Sequence, residues 1–225
     1  MKAHLKSRQR RHIQDSGTRI GIDIGGTFTD LVLVDDRTGA ISVSKVLTTP
    51  ANPAIAVAEA FSMATLMGGV GATDVTRVVH GTTLVTNAVV ERKGARTALV
   101  TTAGFRDTLE IATENRYDMY DLEIEKPRPL VPRRLREEVR ERMYADGRGA
   151  EPLDVESVRA TAERRRAAGV EAVAVCLLNS YRSGKHERRV AELLAELLPG
   201  VPVALSSEVS PEIREYHRSV TTVVN

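Results

Sequence analysis

Hydrophobic residues near the start of the chain recur with the two-residue period of β-strands. Residues 19–24 (RIGIDI) and 29–35 (TDLVLVD) are rich in β-branched side chains, and a Gly-Gly pair lies between them. The sequence DRTG at 36–39 leads into a third such run, AISVSKV. Short β-branched runs separated by glycine-containing turns indicate antiparallel strands. We therefore predict a hairpin followed by a third antiparallel strand.

The pattern then alternates between helix and strand. Asn52 as N-cap and Pro53 at the first helical position predict a helix that ends at a pair of glycines. The run RVVHG (77–81) predicts a short buried strand, and TTLVTNAVVERKG (82–94) predicts a second helix. ARTALVTT (95–102) is continuously apolar enough for another buried strand.

A long polar segment interrupts this alternation. Residues 114–134 (ENRYDMYDLEIEKPRPLVPRR) carry many charges and three prolines without clear periodicity. Such a loop is usually functional or linking, and a solvated loop is the alternative to a contact with substrate or a partner. Beyond it a polar strand precedes a helix from N-cap Asp154 to Gly169, and a buried strand, an amphipathic helix and a last strand follow.

These elements predict an α/β chain in three parts. The first is a disordered basic extension at 1–18, the second a phosphate-binding N-terminal region at 19–130, and the third a second α/β subdomain at 131–225. Residues 1–19 carry six basic residues against one acidic residue, while the chain as a whole has a net charge of +2. A basic tail could contact nucleic acid or an acidic membrane, but disorder is common at termini, and we expect neither partner.

Composition adds few constraints. No stretch approaches the roughly 18–20 apolar residues of a membrane span, and the N-terminus lacks the apolar core of a secretory signal. Cys176 is the single cysteine, so an internal disulfide or a cysteine-based zinc site is excluded. These features lead us to expect a cytoplasmic protein.

The decapeptide GIDIGGTFTD (21–30) carries groups that suit a nucleotide's phosphates. Glycine N–H groups lie open to an anionic oxygen, and nearby hydroxyls add donors. Carboxylates on both sides offer the hard oxygens that magnesium prefers. A plain hairpin turn is the alternative, but it explains neither the acids nor the hydroxyls. The candidates are Gly25, Gly26, Thr27 and Thr29 for phosphate, and Asp23 and Asp30 as carboxylates.

A second candidate cluster lies in HGTTLVTNAVV (80–90). His80 follows an apolar run, where it could donate a proton or polarise a carbonyl. Thr82 and Thr83 lie at a predicted helix N-terminus, which favours anions, and with Asn87 they could contact phosphate or substrate. The alternative is that Thr82 only caps the helix and that His80 is a buried core histidine.

The motif DIGGTFTD resembles the first phosphate-binding hairpin of the actin-like ATPase superfamily, and most closely that of the hydantoinase A/5-oxoprolinase family. Residues 78–107, 176–189 and 206–225 match the same family in order. The resemblance implies one half of an actin-like (ribonuclease H-like) α/β ATPase. It also implies ATP and Mg²⁺ as cofactors, and ATP-dependent hydrolysis of cyclic amides through phosphorylation of a carbonyl oxygen. The carboxylase branch of the family acts on ketones.

The resemblance also implies roles for individual residues. The phosphates would be held by Gly25, Gly26, Thr27 and Thr29, with Thr82, Thr83 and Asn87 as further contacts. Asp23 would hold magnesium, and His80 and Asp30 would be catalytic.

Members of this family continue into a second actin-like half with another phosphate loop, whereas no second Gly-Gly-Thr follows residue 30. We therefore expect the 225-residue chain alone to bind nucleotide weakly, to be catalytically silent, and to need a further half or a companion subunit. Two other classes stay open. They are a sugar-kinase-like protein and a non-catalytic module that binds a partner.

Overall fold

The structure, a computed structural model, describes residues 17–113 and 118–225. Most of the predicted basic extension, residues 1–16, lies outside the described residues, as do residues 114–117 of the predicted loop. Contacts between residues divide the chain into two compact units, which meet in sequence between Glu91 and Arg92. In the part that the structure describes, no helix is long and apolar enough to cross a membrane.

Four strands and two α-helices form the first unit. They are β1 (Thr18–Ile24), β2 (Phe28–Asp35), β3 (Ile41–Leu47), α1 (Pro53–Gly68), β4 (Val75–Thr82) and α2 (Leu84–Glu91). The sheet has the order β3-β2-β1-β4, with β1 and β3 antiparallel to β2 and β4 parallel to β1. The predicted hairpin and third antiparallel strand are confirmed.

Helix α1 covers one face of this sheet. Asn52 caps it as predicted, because its side-chain oxygen accepts a hydrogen bond from Ala54 N at 3.2 Å. The residues that face the sheet are alanines, and their small side chains allow the helix backbone to lie close to the strands. The core comprises Ile20, Leu31, Leu33, Val46, Ala56, Ala60, Ala64 and Val70.

The prediction of a buried strand around RVVHG is wrong. β4 forms where expected, but all its residues after Val75 are exposed. It lies at the edge of the sheet, whereas α1 packs mainly on β2 and β3. An apolar strand is therefore left without a covering layer among the described residues.

The second unit contains the remaining strands and helices. They are β5 (Thr97–Thr102), α3 (Thr108–Ile111), β6 (Arg136–Val139), β7 (Arg142–Met143), β8 (Gly149–Glu151), α4 (Val155–Ala167), β9 (Ala172–Cys176), α5 (Lys185–Leu197), β10 (Val203–Leu205), α6 (Ser206–Val209) and α7 (Glu215–Val224). The predicted polar strand at 136–147 is split, since β6 joins the main sheet while β7 pairs with β8. No helix or strand forms over residues 118–132, in agreement with the predicted loop.

The main sheet of this unit has the order β10-β9-β5-β6 and is entirely parallel. Its central strands β5 and β9 are buried, as expected of a parallel sheet covered on both faces. The sequence placed the boundary at residues 130/131. The structure divides the chain earlier, between Glu91 and Arg92, because β5 pairs with β9 and β6.

A buried carboxylate joins three segments at the carboxyl end of this sheet. Glu187, on α5, accepts hydrogen bonds from Leu177 N at 2.9 Å, Ser206 Oγ at 2.6 Å and Ser207 N at 2.8 Å. Arg218, on α7, donates to Ser206 Oγ and to the Leu177 carbonyl. Both charged side chains are fully buried. Burying a charge is costly unless hydrogen bonds compensate it, so these partners make the burial of each side chain possible.

Replacing Glu187 by Ala should lower the free energy of unfolding by about 3–5 kcal/mol, the range for removing one member of a buried charged group. The measurement is urea unfolding followed by circular dichroism. Glu192→Ala is the matched control, because Glu192 lies on the same helix in an exposed ion pair with Arg189. That control should change stability by less than about 0.5 kcal/mol. Equal losses in both variants would contradict the role given to Glu187.

Asp154 makes the first turn of α4 sensitive to acid. Its carboxylate accepts hydrogen bonds from Arg140 Nε at 2.7 Å and from Glu156 N at 3.1 Å. The hydrogen bond from Arg140 is the main cause that lowers the pKa of Asp154 from its ordinary value of 3.8. The charge of Asp154 therefore stabilises the fold above the unfolded-state pKa, and this contribution is lost as pH falls through the folded-state pKa.

Asp154→Asn keeps an N-capping oxygen and removes only the charge. The stability of the wild type should exceed that of the variant at neutral pH, and the difference should shrink as the pH falls below about 4. Urea unfolding at a series of pH values measures this, and Arg140→Gln should reduce the same pH dependence, because the backbone hydrogen bonds to Asp154 remain. A difference that stays constant down to about pH 2 would exclude the charge as its source.

Candidate functional site

In the turn between β1 and β2, the backbone carbonyl groups accept hydrogen bonds from other parts of the first unit. Gly25 N donates to Phe28 O at 2.9 Å and closes the turn. Thr48, directly after β3, donates from its hydroxyl to Gly25 O and from its backbone N–H to Thr27 O, both at 2.9 Å. The N–H groups of Gly26 and Thr27 have no hydrogen-bond acceptor among the described residues. Both residues are exposed, so these two donors are open to a ligand.

The same turn is fastened to the start of α2. The Ile24 carbonyl accepts from Thr83 N at 3.1 Å and from Thr82 Oγ1 at 3.2 Å. Thr82 Oγ1 in turn accepts from Leu84 N at 3.2 Å. The hydroxyl of Thr82 thus caps the helix and supports the turn, while Thr83 lies exposed beside it.

Gly26 and Asn87 approach each other closely. A Cβ atom on Gly26 would lie 2.9 Å from Asn87 Nδ2. Gly26 does not have a positive φ, so a larger residue at this position would have to displace the end of the Asn87 side chain rather than strain the backbone. The structure therefore brings Gly25, Gly26, Thr27, Thr82, Thr83 and Asn87 together around one turn.

The two predicted carboxylates share a face of the sheet but differ in their partners. Asp23 and Asp30 are directly paired across β1 and β2, which places both side chains on the face opposite α1. Asp30 forms an ion pair with Lys45 at 2.8 Å. Asp23 is exposed and makes no hydrogen bond or ion pair with the residues that the structure describes. Asp23 is therefore the carboxylate that is free to hold a cation.

Thr29 does not occupy the position expected of a phosphate ligand. Its side chain is fully buried on the α1 side of the sheet, and its hydroxyl lies 3.0 Å from that of Thr48. Thr29 therefore supports the turn from behind. The sequence did not identify Thr48, because this residue lies outside the motif. The signal that could have found it is the predicted third strand, since the residue after that strand lies beside Thr27.

His80 is separated from the two carboxylates. It pairs with Ile22 on β1, whereas Asp23 pairs with Gly81, and successive residues of a strand face opposite sides. His80 is also exposed, so the interpretation as a buried core histidine is wrong. The structure does not bring His80 onto the face that carries Asp23 and Asp30.

Protein side chains alone do not complete a metal centre here. Within residues 17–113 and 118–225, no group of three or more His, Cys, Asp or Glu side chains is placed to hold an ion. A cation at Asp23 would therefore take its other ligands from water or from a bound phosphate, as Mg²⁺ commonly does.

The chain matches the family described as the hydantoinase/oxoprolinase N-terminal region over residues 19–198. It is 40% identical over 212 residues to the uncharacterised protein MJ0964 of Methanocaldococcus jannaschii, covering 93% of this chain and 31% of that protein. It is 36% identical over 215 residues to caprolactamase subunit alpha of Pseudomonas jessenii, covering 92% and 30%.

Among solved structures, the nucleotide-free structure of acetone carboxylase, from a study of ATP-dependent acetone carboxylation, matches with a TM-score of 0.83. The sequence identity is 29%, and the match covers 92% of this chain and 32% of the other. The chain belongs to the hydantoinase/oxoprolinase family, and the predicted actin-like α/β fold is confirmed. It spans about a third of the length of these relatives.

The contact between Gly26 and Asn87 can be tested by adding one methyl group. Relative to the Gly21→Ala control, Gly26→Ala should lower the free energy of unfolding by up to about 1 kcal/mol, because the new Cβ forces the end of the Asn87 side chain to move. Urea unfolding measures the loss, and Asn87→Ala in the same background should recover it. Gly21→Ala is the control, since nothing lies within 4 Å of a Cβ at that position. A Gly26→Ala variant as stable as the control would contradict the packing described.

Proposed function

We propose that this chain provides a phosphate-binding site of an ATP-dependent enzyme that activates a carbonyl oxygen, with cyclic amides as the substrate class. The observation that carries the proposal is the β1–β2 turn with its two free N–H groups, which follow the unpaired carboxylate of Asp23 by three and four residues along the chain. Membership of the hydantoinase/oxoprolinase family supports the substrate class.

The residues present suit a triphosphate with Mg²⁺. The N–H groups of Gly26 and Thr27 would donate to phosphate oxygens, and the exposed Thr83 and the Asn87 amide would extend the same surface. Asp23 would hold Mg²⁺ directly or through water, and the ion would neutralise charge on the phosphates. His80 and Asp30 are left out of this set, because His80 faces the other side of the sheet and Asp30 is paired with Lys45.

The chemistry follows from the poor reactivity of amides. In the proposed reaction the amide oxygen attacks the γ-phosphorus of ATP, the bond to the bridging oxygen breaks, and ADP leaves. Water would then attack the phosphorylated carbon, and the C–N bond would break with the nitrogen leaving as the amine, which opens the ring and leaves an acyl phosphate. A second water would hydrolyse the acyl phosphate to a carboxylate and inorganic phosphate. Positioning and charge neutralisation are the main contributions that a protein makes to such a transfer.

A ketone carboxylase subunit is the second candidate. The likeness to acetone carboxylase favours it, and the activation of a carbonyl oxygen would be common to both. In either case we propose that residues outside this chain, in a further half or a companion subunit, complete the substrate pocket. A cytoplasmic location, where ATP is abundant and the buried Cys176 stays reduced, fits this function.

Calorimetric titration of Mg-ATP into the purified chain tests the proposal. Binding should be detectable at micromolar to millimolar concentrations, and Asp23→Asn should weaken it about tenfold or more, because a ligand of the cation loses its charge. Asp36→Asn is the matched control, since Asp36 is a hairpin carboxylate that pairs with Arg19. Absence of binding to a folded wild type, or equal binding by both variants, would reject the proposal.

A further inference from the structure

The Thr48 hydroxyl has one hydrogen and several neighbours. It donates that hydrogen to the Gly25 carbonyl at 2.9 Å, so in its 3.0 Å contact with the Thr29 hydroxyl it must accept. Thr48 is only 8% exposed, and Thr29 is fully buried. The two hydroxyls therefore form an ordered chain from the core to the turn, ending on the carbonyl that precedes Gly26.

The geometry points to Thr48 as a positioning residue for phosphate binding. In a planar trans peptide the C=O of one residue and the N–H of the next point in opposite directions, and the structure has no cis peptide among its described residues. Holding the Gly25 carbonyl inward therefore aims the Gly26 N–H outward. This inference rests on the proposed function, because it assigns Thr48 the task of presenting a donor to the nucleotide's phosphates.

The same hydrogen bond removes an electrostatic obstacle. A two-glycine turn is free to rotate its peptide planes, because glycine accepts a wide range of backbone angles. If the Gly25–Gly26 plane flipped, a carbonyl oxygen would face the ligand and repel an anion, instead of an N–H that attracts it. Satisfying the carbonyl from the buried side selects one of these orientations before any ligand arrives, and preorganisation of this kind improves affinity.

The test compares substitutions of Thr48 that differ in the hydroxyl. Thr48→Val keeps the β-branched shape and lacks the hydroxyl. It should weaken Mg-ATP binding about fivefold to tenfold in calorimetry, because the free energy of one hydrogen bond corresponds to a change of this size in the dissociation constant. Thr48→Ser restores the hydroxyl and should bind within about twofold of the wild type. Thr48→Ala provides a second variant without the hydroxyl, which serves if the valine side chain disturbs folding.

Ser44→Ala is the control for the general loss of a buried hydroxyl from this unit. The Ser44 hydroxyl, on β3, donates to Ala60 O at 2.8 Å and makes no hydrogen bond to the turn, so binding should persist. A second readout is the NMR signal of the Gly26 amide, which should shift on addition of Mg-ATP in the wild type and in Thr48→Ser, but less in Thr48→Val.

The outcomes separate this inference from the function on which it rests. If the wild type binds Mg-ATP and folded Thr48→Val or Thr48→Ala binds equally well, Thr48 does not position the turn, although the site itself stands. If Ser44→Ala weakens binding as much as Thr48→Val, the effect is structural and the inference is likewise rejected. Absence of binding to the wild type rejects the proposed function and this inference together.

Discussion

The first unit depends on one constraint. A turn whose N–H groups stay open must have its carbonyl groups satisfied by donors from other parts of the chain. Here the carbonyls of Ile24, Gly25 and Thr27 all accept hydrogen bonds from residues beside the turn, namely Thr82 and Thr83 at the end of β4 and Thr48 after β3. The order of the sheet makes this arrangement possible, because β3 and β4 flank the hairpin and bring those donors to it. The alanines of α1 allow the helix to pack closely on this sheet, mainly on β2 and β3.

In the second unit, side chains also satisfy backbone groups that strand pairing leaves without partners. Its parallel strands end together, and their last backbone groups would be buried without partners at that edge. A carboxylate and a guanidinium, Glu187 and Arg218, take up several of these groups within the core. Charged side chains in such positions are costly to bury, and the stability of the fold falls sharply when one of their partners is removed. The result is an edge defined by specific hydrogen bonds as well as by apolar packing.

Sequence periodicity predicted most of the helices and strands because each is encoded locally, by two-residue or 3.6-residue repeats and by caps such as Asn52 and Asp154. It also located the glycine turn and Asp23. It could not show that Thr29 faces inward or that His80 lies on the opposite face from Asp23, because these depend on register and on which face α1 covers. The exposure of β4 and the pairing of β5 with strands far along the chain also depend on tertiary structure, which local sequence patterns do not encode. Thr48 carries no motif of its own, and only the folded sheet brings it to the turn.

The order of the strands in the second unit also has a consequence for biosynthesis. The first sheet is complete once residue 82 has left the ribosome, and its strands pair mostly with near neighbours in sequence. Strand β5 is made soon afterwards, yet one of its two partners, β9, begins only at Ala172. During that interval a strand that is buried in the folded unit lacks its partner, in a state prone to aggregation. The second unit is therefore the part of the chain that depends most on prompt completion of synthesis, and on chaperones when synthesis is slow.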